Sequence, residues 1–352
     1  MRVPLFIERA KEANVLKWKR SFQLASVYVG TVVGAGFATG KEIVEFFSQY
    51  GAFGLLGIWI AGLLFIWFGI KIMLLAIRLK AKSFHQLNMY MFGPYITPII
   101  NVMMFVMLIG VSAVMLSGAG SVFEEQLHLP KQLGVLFTVF LTLLVLTIGT
   151  NGLVLVNSFV VPLLIFFSFM LASLSFQLDD FWTNIIHKEP FSFEVITSGF
   201  AYASFNISLA TAVLVPAASE IGDEKVVKWG GILGGAALTI ILIASHVTLV
   251  QLPGFTSFHI PMAVMMETLA PTFYFIYILI IYGEIFTSVI GNVYGLERFI
   301  RKGTQGSTLI VSTCILAVSY SISLIDYSTL LATLYPMFGY VSLAFLLILV
   351  FK

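Results

Sequence analysis

Apolar residues run along this chain in long uninterrupted blocks, not in the alternation of half-buried strands. A block of about 20 such residues crosses a bilayer as a helix. The bilayer offers the backbone no water, so each block must be a helix or part of a closed barrel, and continuous runs favour the helix. The pattern predicts spans at 21–47, 51–79, 97–123, 131–149, 153–177, 194–219, 226–251, 271–300, 306–325 and 327–351. Segment 253–270 is too short and broken to span and is expected in an outer loop. The polar stretch 178–193, with Asp179, Asp180, His187, Lys188 and Glu189, is the longest link. It divides the chain into two units, 21–177 and 194–352, of five helices each.

Composition agrees with the pattern. Hydrophobic residues make up 59% of the 352 and charged residues 10%, against roughly 25% charged in a soluble domain. The net charge of +2 says little about partners, because the positive charges are placed for topology, and no nucleic-acid partner is expected. Six lie in the first twenty residues, followed by Arg78, Lys80, Lys82, Lys225, Lys228, Arg298, Arg301, Lys302 and Lys352. The opposite side holds Lys131 and Lys188, while Lys41 and Lys71 lie inside spans. That asymmetry predicts a multi-pass protein of the cell membrane with both termini cytoplasmic. Residues 1–20 lack a signal-peptide core and are expected to form a cytoplasmic amphipathic tail. The single cysteine, Cys314, excludes a disulfide framework or a Cys-based metal site within one chain.

An odd number of helices per half starts the second unit on the opposite side from the first, as an inverted-repeat transporter requires. The first span carries GTVVGAGFATGKE, with Gly30, Gly34, Gly36 and Gly40. Small residues four apart also serve close helix packing, but Gly34 and Gly36 point in different directions on a helix. Local unwinding accounts for both, since glycine gains little from helix. The sixth span carries Ser204, Asn206 and Ser208 at its middle and Pro216 beyond. These either bond neighbouring helices or mark a second break at the corresponding place.

With these motifs in view, the whole chain resembles the amino acid–polyamine–organocation superfamily with the leucine-transporter fold. Within it, the chain is similar to the ten-helix YkvI-like bacterial membrane proteins, regarded as amino acid permeases. The motifs that carry the resemblance are GTVVGAGFATGKEI and FAYASFNISLATAVLVPAASEIGD, the latter with Glu220 at its cytoplasmic end. Ser204, Phe205 and Asn206 stand where that family usually has glycine, an aromatic and an acidic residue. The resemblance implies an all-α membrane protein of ten helices in a five-plus-five inverted repeat, with the first and sixth helices broken mid-membrane. It implies a secondary transporter importing a small amino acid or related zwitterion with a coupling cation. The substrate carboxylate would meet amides near Ala35 and Gly36, beside Thr31, and its amine the region of Ser204 and Asn206. Phe37, Phe200, Tyr202 and Phe205 flank the breaks and would line the pocket or form its lid.

In the eighth span Glu284 lies thirteen residues after Pro271, roughly 20 Å along a helix. Thr287 and Ser288 share its face. They either bond back to their own helix or, as the resemblance implies, bind sodium with the carbonyls of Gly30, Val33 and Glu284. Five hard oxygens suit an alkali cation. Glu284 is a mid-membrane carboxylate, functional by default; it carries a proton, adds charge to the cation site or pairs with a base. The fifth span has no Lys, so the lysine of some proton-coupled relatives is missing and sodium is favoured over protons. No other cofactor is implied. His246 reads as a structural histidine. Lys41 and Asp326, at the outer ends of the first and tenth spans, are expected to meet as a gate, or else to be solvated helix ends. A rival reading is a nutrient receptor of the same fold. An intramembrane enzyme lacks support, with no H-E-x-x-H or G-x-S-x-G motif.

Overall fold

A computed structural model describes residues 3–81, 83–148, 151–186, 190–301 and 308–351, the side chains of 3–14, 148, 151–159, 298, 299, 301 and 308 excepted. Arg2, Lys82, His187, Lys188, Glu189, Lys302 and Lys352, used above for topology and linker, lie outside these residues. The described residues are helical, with no strand. In chain order they form α1 (Val3–Val32), α2 (Ala35–Thr39), α3 (Lys41–Phe46), α4 (Gly54–Leu79), α5 (Phe84–Ser121), α6 (Lys131–Ile148) and α7 (Asn151–Ser175). There follow α8 (Phe181–Ile186), α9 (Glu194–Ile221), α10 (Glu224–Leu249), α11 (Pro261–Leu269), α12 (Tyr274–Arg301), α13 (Thr308–Ser323) and α14 (Tyr327–Val350). Six segments, built on α4, α5, α9, α10, α12 and α14, are long and apolar enough to cross a membrane. Shorter apolar helices lie at 131–147, 160–175 and 309–323. Trp59, Leu63, Phe140, Phe166, Ile240 and Leu279 project outward, a distribution that suits lipid on all sides.

Two boundaries differ from the sequence reading, and the 253–270 segment, expected to be too short to span, holds only short helices. The expected tail is not a separate unit, because α1 runs without interruption through residue 20. The third span starts earlier, at Phe84, and bends at Gly93 (φ 73°), where Pro94 follows; proline cannot donate into the preceding turn. Segment 253–270 contains a 3₁₀ turn at 255–257 and α11.

Packing follows small residues. α4 lies along α9 and α10, and α1 along α10. A Cβ added at Gly230 or Gly234 of α10 would strike Leu24 or Tyr28, and one at Gly231 or Gly235 would strike Ile70 or Ile66. Glycine on one helix therefore lets large side chains of the next seat against its backbone, the usual route to tight helix pairs without a hydrophobic driving force. Tyr28, fully buried, donates to the Phe65 carbonyl at 2.8 Å. The α9–α10 turn is closed by Asp223, whose carboxylate accepts from the Lys225 and Val226 amides and pairs with Lys17 Nζ at 3.0 Å. The hydrogen bond and charge of Lys17 hold the Asp223 carboxyl below the ordinary aspartate range.

The sixth span is not broken. α9 is continuous from Glu194 to Ile221, through Pro216. Its polar side chains bond backward within the helix instead of marking an interruption: Ser204 Oγ to Phe200 O (2.6 Å), Asn206 Nδ2 to Tyr202 O (3.1 Å) and Thr211 Oγ1 to Ile207 O (2.8 Å). Such bonds satisfy the side chain without freeing the backbone.

Candidate substrate and cation cavity

The first span is broken twice. α1 ends at Val32, Gly34 is extended (φ −121°, ψ −170°), and α2 begins at Ala35. One short helix later, Gly40 takes a left-handed conformation (φ 81°) and α3 sets off. Only glycine holds that conformation without strain. Carbonyls released by the breaks find side-chain donors: Tyr277 Oη donates to Ala38 O (3.2 Å) and Thr39 Oγ1 to Gly36 O (3.0 Å). Thr39 Oγ1 also lies 2.8 Å from Tyr327 Oη.

The first of these breaks borders a cavity of about 1510 Å³. Its wall includes Gly30, Thr31, Val33, Ala35 and Gly36 from the first span, and Glu284, Thr287 and Ser288 from α12. All five residues of the expected cation site thus face one space. Glu284 is buried, and its Oε2 has no hydrogen-bond partner among the described residues. Thr287 Oγ1 donates to Glu284 O at 3.2 Å, leaving its lone pairs for a cation. Glu284, Thr287 and Ser288 thus bring a carboxylate and two hydroxyls, hard oxygen donors, to the same wall.

The expected substrate residues divide. Thr31, Ala35, Gly36 and Phe205 line the cavity. Asn206 reaches it through Glu42, with Nδ2 at 3.4 Å from Oε1. Phe37, Phe200, Tyr202 and Ser204 do not line it. Phe200 projects outward at 37% exposure, whereas Tyr202 is buried among Phe46, Phe47 and Phe65. Because α9 stays helical, those side chains keep their helical directions and turn away. Sequence reasoning passed over Glu42 and Tyr335, both on the wall. Glu42 carried the signal that drew attention to Glu284, a carboxylate inside an apolar span. His246 is buried, with Nδ1 3.0 Å from Ser48 Oγ, outside the cavity wall.

Lys41 and Asp326 do not form the expected pair. Lys41, buried, donates to Thr256 O at 2.7 Å and lies 3.3 Å from Glu45. Asp326 lies 3.2 Å from His259 Nε2, and the same nitrogen lies 3.8 Å from Glu125. His259 Nδ1 is 2.7 Å from Ser328 Oγ. The segment before α11 supplies both Thr256 and His259, so it takes the two partners apart. Lys41, Thr256, His259 and Asp326 stand outside the cavity wall, which runs from Glu42 and Tyr335 past Gly30 to Phe22 and Gly295, near the end where Ser21 Oγ bonds Val226 O.

The sequence is 47% identical over 324 residues to the uncharacterized membrane protein YkvI of Bacillus subtilis (strain 168), covering 92% of this chain and 93% of the relative. The chain belongs to the YkvI family. A more distant relative, the uncharacterized protein YyaD of the same organism, is 24% identical over 329 residues, 93% of this chain and 95% of its own. No protein-family model matches. Among solved structures, the fold is similar to that of a manganese transporter from Eremococcus coleocola, crystallised with an aromatic bis-isothiourea substituted compound. The match covers 94% of this chain and 78% of that one at a TM-score of 0.50 and 15% identity. At that identity the likeness is one of fold. This YkvI-family member is a multi-pass membrane protein with a transporter-like fold.

Proposed function

We propose that this protein is a cation-coupled secondary transporter of the cell membrane that imports a small amino acid or related zwitterion, with sodium favoured over protons. The observation that carries the reading is the break at Val33–Gly34, which faces Glu284, Thr287 and Ser288 across one cavity. The packing supports a five-plus-five inverted repeat as in the amino acid–polyamine–organocation superfamily. α1, α4, α9 and α10 pack together, and α5, α6, α12 and α13 form a second group. Each group takes corresponding members of both halves, the arrangement expected when one bundle rocks against a scaffold. With both termini cytoplasmic, the cavity extends inward and the Lys41 and His259 contacts close the outer side.

Manganese, the solved neighbour's substrate, has less support here. Among the described residues no group of three or more His, Cys, Asp or Glu is arranged to hold a metal ion. The test is uptake of labelled amino acids into proteoliposomes with an inward sodium gradient. Accumulation that collapses with the gradient, and a several-fold higher sodium requirement in Thr287→Ala, are expected. Saturable binding without accumulation under any ion gradient would assign the nutrient-receptor role instead.

A further inference from the structure

The charge of the cavity wall is one-sided. Among its described residues the charged side chains are Glu42 and Glu284, and no Lys, Arg or His is present. Both carboxylates are buried, at 4% and 3% exposure. The nearest lysine in sequence, Lys41, is turned away to the Thr256 carbonyl. Asn206 gives Glu42 one long contact and the Tyr202 hydroxyl lies against the same carboxylate, whereas Glu284 Oε2 has no partner among the described residues. Two carboxylates taken out of water in an apolar bundle are costly unless a proton or another cation neutralises each. The coupling ion accounts for one.

We infer that the second positive charge is the substrate's own: Glu42 seats an organic ammonium, and a carboxylate on the substrate is dispensable. This deepens the transporter reading and rests on it. Gly36 supports the assignment. A side chain there would run into the Glu42 carboxylate and the Tyr335 ring, so glycine at the break gives Glu42 its seat. Tyr335 in turn lies 4.7 Å from Phe205, ring to ring. An ammonium on Glu42 therefore lies beside aromatic faces that attract cations, while Met104, Val111 and Met115 offer an apolar wall to the rest of the molecule. No fixed positive side chain on the described wall faces an anion.

The test uses the full chain in lipid nanodiscs with two matched probe sets, read as the shift in thermal midpoint at saturating ligand. One set is L-leucine, isoamylamine (leucine without its carboxylate) and isocaproate (leucine without its ammonium). The other is L-alanine, ethylamine and propionate. In at least one set the amine and the amino acid should stabilise the protein and the acid should not. Glu42→Gln should weaken the amine response by roughly thirtyfold or more, the loss expected when one partner of a buried charged pair is removed. Glu42→Asp should restore part of it, and the sodium response should persist in both variants. Equal responses to amine and acid, or no amine response in either set, overturn the inference on the unaltered chain, whatever the variants do. A sodium response without an amine response leaves coupled transport standing. An amine response without accumulation in proteoliposomes sinks transport and keeps the ammonium site.

Discussion

At the scale of single residues, the cavity depends on the absence of one side chain and the unusual placement of another. Gly36 has no room for a Cβ because Glu42 occupies it. Gly36→Ala is expected to displace the carboxylate and not to unfold the bundle, since the nearest obstructing atom ends the flexible Glu42 side chain, while the Glu42 Cβ and the Tyr335 ring lie 3.2 and 3.3 Å away. Overpacking of this kind costs about 1–3 kcal/mol. Ligand-induced stabilisation should fall sharply in that variant while the ligand-free thermal midpoint drops by only a few degrees. Full retention of the ligand response would show that Glu42 keeps its place. Asp223 is a residue whose role is purely structural. It caps α10 through two amides and pairs with Lys17. Asp223→Ala should cost about 0.5–2 kcal/mol, the usual value of an N-cap. The Lys17 contact lowers the folded-state pKa of this carboxyl, so its contribution is present above the unfolded pKa and lost as pH falls through the folded one. The midpoint difference between wild type and Asp223→Ala, measured across acidic pH, should shrink toward the acid end.

At the scale of elements, two spans with similar sequence signals behave differently. The α1–α2 break rests on glycine, and Gly34 has nothing within 4 Å of the place where a Cβ would stand. Gly34→Ala is thus sterically open, yet alanine favours helix over glycine by about 1 kcal/mol. The substitution should move the break toward continuous helix and withdraw carbonyls from the cavity. The sodium concentration for half-maximal stabilisation should rise about fivefold at unchanged or higher ligand-free stability. An unchanged sodium response would mean the break is set by packing and not by glycine. In α9 the contrary holds: Ser204→Ala removes a bond to the helix's own carbonyl and should be silent within about 0.5 kcal/mol. The contrast explains what was legible. Glycines at 34 and 36 admit few explanations in a span, so that break could be read in advance. Ser204 and Asn206 read equally as markers of a break and as residues bonding neighbouring helices, whereas both bond back to their own helix. Glu284, Thr287 and Ser288 could be placed on one face from helical spacing alone. Glu42 required knowing that the chain turns at Gly40, which sends α3 and its carboxylate back toward Gly36.

At the scale of the whole molecule, the proposed outer closure rests on the stretch just before α11, which no helical periodicity predicts. The 253–270 segment meets Lys41 through the Thr256 carbonyl and Asp326 through His259, tying α3 and α14 to the same short stretch. The expected direct pair of Lys41 with Asp326 failed because such a partner depends on how an irregular segment folds. The His259–Asp326 contact is partly exposed, with side chains 25% and 45% accessible, so it is worth only about 0–1 kcal/mol. On the transporter reading, a contact of that size biases the proposed opening equilibrium without locking it. The single cysteine lies on the exposed surface, so Cys314→Ser gives a clean background for a reporter. Met262 is buried against Gly40, and on the proposed orientation it is expected to become reachable when the outer side parts. In a Cys314→Ser, Met262→Cys protein, a membrane-impermeant thiol reagent applied from outside should label slowly. His259→Asn and Asp326→Asn should each raise the labelling rate by up to about fivefold, the factor that corresponds to a loss of about 1 kcal/mol. The double variant should label no faster than the quicker single one, because removing either partner already removes the contact. Additive increases would assign the two residues to separate contacts, and rates unchanged from the background would place the outer closure on Lys41 and Thr256 alone.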